Sequence, residues 1–326
     1  MFMKNYPWHK KLMEKLLRSR ETLPHALILK GRDGTGKLDF ANRLAQSLLC
    51  ESPHESGEAC DACQACSWFA NGLHPDFRKI EPEIDTSESG KKSSRITIDL
   101  IRSLSAFTNM TTHRNGYRII LIHPADAMNL PAANALLKTL EEPPGKTLFI
   151  LVTSRPNQLL PTMVSRCHAL AMPFPKPAEG EAWLRENGIT NPASFLAEAG
   201  HAPLAALQLA SEDSSLKNRF LDEIGSSSLD PISVAETFHK TELSLILRWL
   251  QKWCHDLSSF AFSGKIRYFP DFSDRIRTVS TRMDRIGLAR FQRKLCEAQR
   301  MSTHPVNARL FIEEMMLTYR ALMDSQ

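Results

Sequence analysis

The sequence predicts an α/β domain built around a P-loop, interrupted by a metal-binding insertion and followed by all-helical domains. Three observations carry that prediction. Gly31-Arg32-Asp33-Gly34-Thr35-Gly36-Lys37-Leu38 has the glycine and lysine spacing of a phosphate-binding loop, between an apolar run, Ala26 to Leu29, and a helical pattern, Asp39 to Leu49. Four of the seven cysteines crowd between Cys50 and Cys66. From Trp183 onward the apolar residues recur at helical spacing.

Composition sets the frame. The chain has 326 residues, 42% hydrophobic and 24% charged, enough for two or three globular domains with a real core. No apolar run approaches the ~20 residues of a membrane span, and the N-terminal stretch with Lys4, Lys10 and Lys11 has no apolar core of a signal peptide, so the expected location is the cytoplasm. The net charge of +5 suits a nucleic-acid neighbour but does not argue for one.

Taken in order, Trp8, Leu12, Leu16 and Leu17 alternate with basic residues as in an amphipathic first helix, whose basic face also admits a DNA-binding reading. His25, beside Pro24, has no nucleophile or metal partner near it in sequence and reads as a packing or hydrogen-bonding residue. In the loop itself, Gly31, Gly34 and Gly36 let backbone N–H groups curl round a polyphosphate and Lys37 reaches its end. The next position should carry a hydroxyl for Mg²⁺. Leu38 has none.

Cys50, Cys60, Cys63 and Cys66 supply four sulfur ligands in overlapping Cys-x-x-Cys steps, the set a structural Zn²⁺ needs, with no open position for hydrolysis. An iron–sulfur cluster also takes four cysteines, yet there is no Cys-Pro ending or second ligand run; redox cysteines are the other alternative. His54 and His74 are surplus to the set. Asp85 to Arg95 is polar and predicts a loop, whose Lys91 and Lys92 could touch phosphate, and Ile98, Ile101, Leu104 and Phe107 then restore a helix.

Tyr117 to Ile122 is a continuous apolar strand of the kind a parallel sheet buries on both faces. An ATPase would place an acid pair at its end to bind Mg²⁺ and activate water. Here stand His123 and Pro124, and Asp126 lies past the strand end. A helix from Ala132, stopped by Pro143-Pro144, and a strand from Leu148 to Thr153 complete the pattern.

These motifs, with Asn134-Ala135-Leu136-Leu137-Lys138-Thr139-Leu140-Glu141-Glu142-Pro143-Pro144 and Ser165-Arg166-Cys167, resemble in order the bacterial clamp-loader subunits of the AAA+ class, parts of the DNA polymerase III holoenzyme, a nucleotidyltransferase. The resemblance is dense over about residues 6 to 172. It implies a RecA-like AAA+ domain over residues 1–172 with a zinc module at about 50–75, a helical lid over 173–210, and an all-helical oligomerising collar over 211–326. It also implies a hetero-pentamer with gamma/tau and delta subunits that places the sliding clamp on primer-template DNA.

In this family the gamma/tau subunits keep a working ATP site and another member lacks one. Leu38, His123 and Pro124 put this chain with the inactive member, and the lid arginine that senses nucleotide would fall near Pro203 or Leu204, neither basic. The resemblance makes Arg166 a trans-acting finger for a neighbour's ATP, a role that suits a planar guanidinium. Two rivals remain: an active clamp-loader ATPase, and a stand-alone zinc-containing DNA-binding protein.

The helical remainder is less specific. Pro173, Pro175 and Pro177 mark a linker, and Ser211 to Ser215 a second boundary. His304-Pro305-Val306-Asn307-Ala308-Arg309-Leu310 resembles the family's entry to its last helix, with Val306 where Leu is usual. Trp249 and Trp253 suit either a core or an intersubunit face, and Cys254 and Cys296 read as buried or inert thiols.

Overall fold

The computed structural model describes residues 5–82, 95–109, 112, 116–301 and 307–323, which form two compact units, Met1–Glu179 and Gly180–Gln326. In the first unit the order is α1 (Lys10–Arg18), β1 (Ala26–Lys30), α2 (Lys37–Leu49), α3 (Gln64–Ala70), β2 (Phe77–Ile80), α4 (Ile98–Asn109), β3 (Arg118–Ile122), α5 (Leu130–Glu141), β4 (Thr147–Thr153), α6 (Pro161–Val164) and β5 (His168–Ala171). The strands make one parallel sheet in the order β2-β3-β4-β1-β5.

Every residue of β3 and β4 is buried, as their unbroken apolar runs require. Alternate side chains go to opposite faces. Ile28, Ile120, Ile122, Phe149 and Leu151 meet α4 and α5, while Leu27, Leu29, Ile119, Leu121 and Ile150 meet α1 and α2. The result is a parallel sheet between two helical layers, the three-layer α/β architecture expected of a P-loop domain. The sheet order makes β1 a switch point between β4 and β5, so a crevice opens at the carboxyl ends of β1 and β4.

β2 and β5 carry no apolar run that would announce them; as the sheet's edges, β2 buries one residue fully and β5 none. The expected polar loop from Asp85, with Lys91 and Lys92, lies outside the described residues up to position 94, as do His304, Pro305 and Val306.

The second unit is helical throughout its described part, with α7 (Pro177–Glu186) leading into it, then α8 (Pro192–Glu198), α9 (Pro203–Ser211), α10 (Ser215–Ile224), α11 (Pro231–Phe238), α12 (Leu243–Ser263), α13 (Ser273–Arg282), α14 (Arg285–Met301) and α15 (Ala308–Met323). Pro177 opens α7 instead of ending the linker in extended chain, since a proline in the first turn has no helical N–H to lose. Trp249 and Trp253 are core residues at 6% and 0% exposure, which settles the ambiguity their spacing left. Cys254 is buried as expected, whereas Cys296 on α14 is exposed.

One buried relay ties this core together. The Trp253 indole N–H donates to the Tyr319 hydroxyl at 2.7 Å, and that hydroxyl lies 3.2 Å from the Ile224 carbonyl. Tyr319→Phe strands both the indole N–H and the carbonyl in a dry core, so chemical denaturation should show a loss of about 1–3 kcal/mol with an unchanged m-value.

Candidate functional site

The chain leaves β1 into the P-loop with Gly34 at φ 73° and Gly36 at φ 85°, left-handed conformations that glycine adopts freely. Lys37 is the first residue of α2. Its ammonium is turned back on the loop: Nζ donates to the Arg32 carbonyl at 2.6 Å and lies 3.7 Å from Asp33 Oδ1, with only 5% of the side chain exposed. Burial lowers the Lys37 pKa, opposed by the nearby Asp33 and Asp126 carboxylates. Thr35 Oγ1 donates to the same Arg32 carbonyl at 2.9 Å.

Beside the loop, a cavity of about 860 Å³ opens at the carboxyl end of the sheet, with Asp33, His123, Asp126, Thr153, Ser154 and Arg155 in its wall. Asp126 is drawn into it by the Thr153 hydroxyl, which donates at 2.6 Å, and Ser154 donates to Asp33. These polar groups satisfy one another. Burial lowers the pKa of His123, just past the end of β3, against the pull of Glu81, and Pro124 has no side-chain ligand atom.

Leu38 faces the hydrophobic cluster on the α1/α2 side of the sheet. The residues at the Mg²⁺ positions therefore do not fit an ATP·Mg²⁺ site.

An aromatic brace backs the loop. Tyr6 stacks on Trp8 with ring centroids 5.1 Å apart, the Trp8 indole N–H donates to the Thr35 carbonyl at 2.9 Å, and the Tyr6 hydroxyl donates to Asp39 at 2.7 Å. His9 lies edge-on to Phe40, is 1% exposed, and bonds the Thr35 backbone. Burial pushes its pKa from 6.5 down to about 4, so the native state resists a proton that the unfolded chain accepts. His9 therefore costs no stability above pH 6.5, while about 3 kcal/mol is lost as pH falls from there to about 4. His9→Gln should flatten that acid limb in denaturation measured across the range.

The four cysteines converge. Among the described residues, theirs are the metal-ligating atoms that gather, all four sulfurs lying within 4.8 Å of one another. Cys50 Sγ is 3.5 Å from Cys60 Sγ and 3.8 Å from Cys63 Sγ, close to the edge of about 3.8 Å in a tetrahedron with 2.3 Å metal–sulfur bonds. Backbone N–H groups of Cys60, Cys63 and Cys66 point at sulfurs, and those from Ala62 and Cys63 lower the Cys60 thiol to a pKa of about 6. The donor set fits a metal ion held by thiolates.

The knob is riveted to α2 by Arg43, which donates to Asp61 at 2.6 Å and to the Ala59 carbonyl at 3.2 Å, while Gln46 donates to Asp61 at 2.9 Å. His74 is occupied elsewhere, its Nδ1 accepting from the Asp76 N–H at 3.1 Å. Arg43 and Asp61 went unnoticed in the sequence, though their flanking of the first two cysteines was visible.

Arg166 follows α6 on a different part of the same unit. Nη1 donates to the Thr162 carbonyl at 2.9 Å, and Nη2 pairs with Glu141 at the end of α5. The side chain is 36% exposed and Glu141's 49%, so the pair faces solvent. His25 contributes only its backbone, its carbonyl accepting from the Phe149 N–H at 2.8 Å.

A sequence profile described as DNA polymerase III, delta subunit, matches residues 8–176. A DNA polymerase III subunit delta' of Pseudomonas aeruginosa is 36% identical over 261 residues, which cover 76% of this chain and 75% of that protein. The chain belongs to the delta-prime family of DNA polymerase III subunits. The delta-prime subunit of Escherichia coli is 32% identical over 65% of this chain and 62% of its own length. The tau subunit of Bacillus subtilis is 33% identical over 48% of this chain and 26% of its own length. A gamma-subunit-related protein of Thermotoga maritima superposes with a TM-score of 0.44 at 18% identity, over 95% of this chain and 99% of that one. No helix among the described residues is long and apolar enough to cross a membrane.

Proposed function

We propose that this delta-prime-family chain works in the clamp loader as an ATPase-silent subunit that lends Arg166 to the ATP site of a neighbouring gamma/tau subunit. The observation that carries the reading is the pairing of a P-loop stripped of Mg²⁺ ligands with an arginine left at the surface: Leu38 turned to the core, Pro124 in place of an acid, and Arg166 held by one backbone carbonyl and a solvent-facing carboxylate. A guanidinium brought from outside neutralises charge that develops on a γ-phosphate during transfer. Planarity and several donors let Arg166 exchange Glu141 for phosphate oxygens without reorienting its backbone.

In this reading residues 1–172 are the AAA+ domain, 173–210 the lid and 211–326 the collar, and the subunit joins gamma/tau and delta in a cytoplasmic hetero-pentamer that places the sliding clamp on primer-template DNA. The metal at Cys50, Cys60, Cys63 and Cys66 is a structural Zn²⁺; these thiolates would saturate it and lock the knob onto α2. Mixing the purified chain with tau and delta subunits and following clamp loading on primed DNA tests the assignment. Loading that depends on the chain, with no hydrolysis by the chain alone, supports it. Loading that proceeds equally well without the chain, or tight, steeply salt-dependent DNA binding by the chain alone, overturns it.

A further inference from the structure

A second concave site lies in the helical unit, far along the sequence from the P-loop. Arg248, Lys252 and His255 occupy positions i, i+4 and i+7 of α12 and so share one face. Gln292 and Cys296 stand opposite on α14, and the segment after α12 brings Tyr268 to the end of the row. Together with Gln251 they enclose about 460 Å³.

The site is built rather than incidental. Asp256, with 0% exposure, accepts from the backbone N–H groups of Arg267 at 2.9 Å, Tyr268 at 2.9 Å and Phe269 at 2.8 Å. That buried carboxylate fixes the turn that presents Tyr268. The Tyr268 ring stands edge-on to His255, centroids 5.1 Å apart, and the Lys252 ammonium lies 5.9 Å from its centroid. Gln251 is fixed too, donating to the Leu295 carbonyl at 3.1 Å.

What the site lacks is a counter-charge. Among the described residues its wall contains no carboxylate. Asp256 is committed to the turn, and the buried Glu198 is already paired with Lys217 at 2.6 Å. Among the described residues neither Arg248 nor Lys252 has an ion-pair partner. Burial pushes the Lys252 pKa down, against the pull of the Glu198 carboxylate and with the help of Arg248 and Lys217, and an incoming anion would reverse it.

We propose that this pocket between α12 and α14 binds an acidic segment of a partner protein, extended, with two carboxylates two residues apart followed by an apolar side chain. Arg248 and Lys252 are separated by about 6 Å along the helix, and alternate side chains of an extended peptide by about 6.8 Å, so two carboxylates meet two cations in register. The next same-face side chain arrives at Tyr268. Nucleic acid fits less well: the row ends after two cations and a histidine, with Leu245 and Ser259 at the flanking turns, and so few phosphate contacts release too few counterions for stable binding. The inference does not depend on the role of Arg166.

The test uses the full chain and a fluorescein-labelled hexapeptide with two glutamates two positions apart and a phenylalanine two positions after the second. Fluorescence anisotropy should show saturable binding with a Kd of ~10–100 µM. Arg248→Met with Lys252→Met should weaken it at least ~10-fold, and Tyr268→Ala by ~5-fold. Because Cys296 is exposed in the pocket wall, bound peptide should slow its modification by maleimide, read by mass at that residue, in the unsubstituted chain even if a variant fails to fold. Absence of saturable binding, binding indifferent to both cations, or no protection of Cys296 overturns the proposal. So does an oligothymidine that binds more tightly than the peptide and protects Cys296 itself.

Discussion

Replacing Arg166 with alanine should slow hydrolysis at the ATP site it serves by ~10²- to ~10³-fold, while leaving assembly of the loader intact. The expectation of intact assembly follows from how little the side chain does at home. Its contacts within the chain are the Thr162 carbonyl and the half-exposed Glu141 carboxylate, an arrangement of a kind that contributes ~0–1 kcal/mol to folding. Nearly all of the loss should therefore fall on chemistry. Arg166→Lys separates charge from geometry: a point charge on a flexible stem keeps attraction for phosphate but not the planar fork, and should recover only part of the rate. Single-turnover hydrolysis in the assembled loader reads both variants, with size-exclusion chromatography as the check on assembly.

Cys63→Ser should have the largest effect on stability. Cys63 caps α3, its Sγ lies 3.8 Å from Cys50 Sγ, and it accepts from the Cys66 N–H, so one substitution removes a ligand and loosens the turn that aims two others. Metal content should drop from about one ion per chain to near zero. Structural Zn²⁺ sites contribute ~10–16 kcal/mol of binding free energy; losing even a quarter of that lowers the melting temperature by roughly 6–12 °C in a unit of this size. Atomic absorption and a thermal melt measure the two effects separately. Full metal content in the variant would show that the sulfurs gather for another reason. Ala59, with no exposed surface, and the buried Arg43 transmit the loss to α2, which carries Lys37 at its other end.

The central strands were legible because full burial writes itself as unbroken apolar runs: Ile119 to Ile122 and Leu148 to Val152 have 0% exposure. The edge strands were not, since β2 needs only its backbone, the half-buried Phe77 and the buried Ile80 to join the sheet. At the site, the losses at Leu38, His123 and Pro124 could be read directly, because a missing ligand atom is visible in a residue's identity. Their replacement could not. That Lys37 folds onto Arg32, that Thr153 holds Asp126, and that Glu141 meets Arg166 across the α5–β4–α6 segment depend on how strands and helices converge in space. The convergence of the cysteines was legible from spacing alone, whereas Arg43 and Asp61, the residues that anchor them, carry no motif.

Two variants of this chain, compared in the same reconstituted loader with clamp and primed DNA, put the central claim at risk: Lys37→Ala at the home P-loop and Arg166→Ala at the surface. ATP turnover should be unchanged by the first and reduced by the second, since in the proposed reading the loop has no Mg²⁺ chemistry to lose and the arginine works on a neighbour. A drop with Lys37→Ala, matched by hydrolysis from the isolated chain that the same substitution abolishes, would contradict the account and make this subunit an ATPase in its own right.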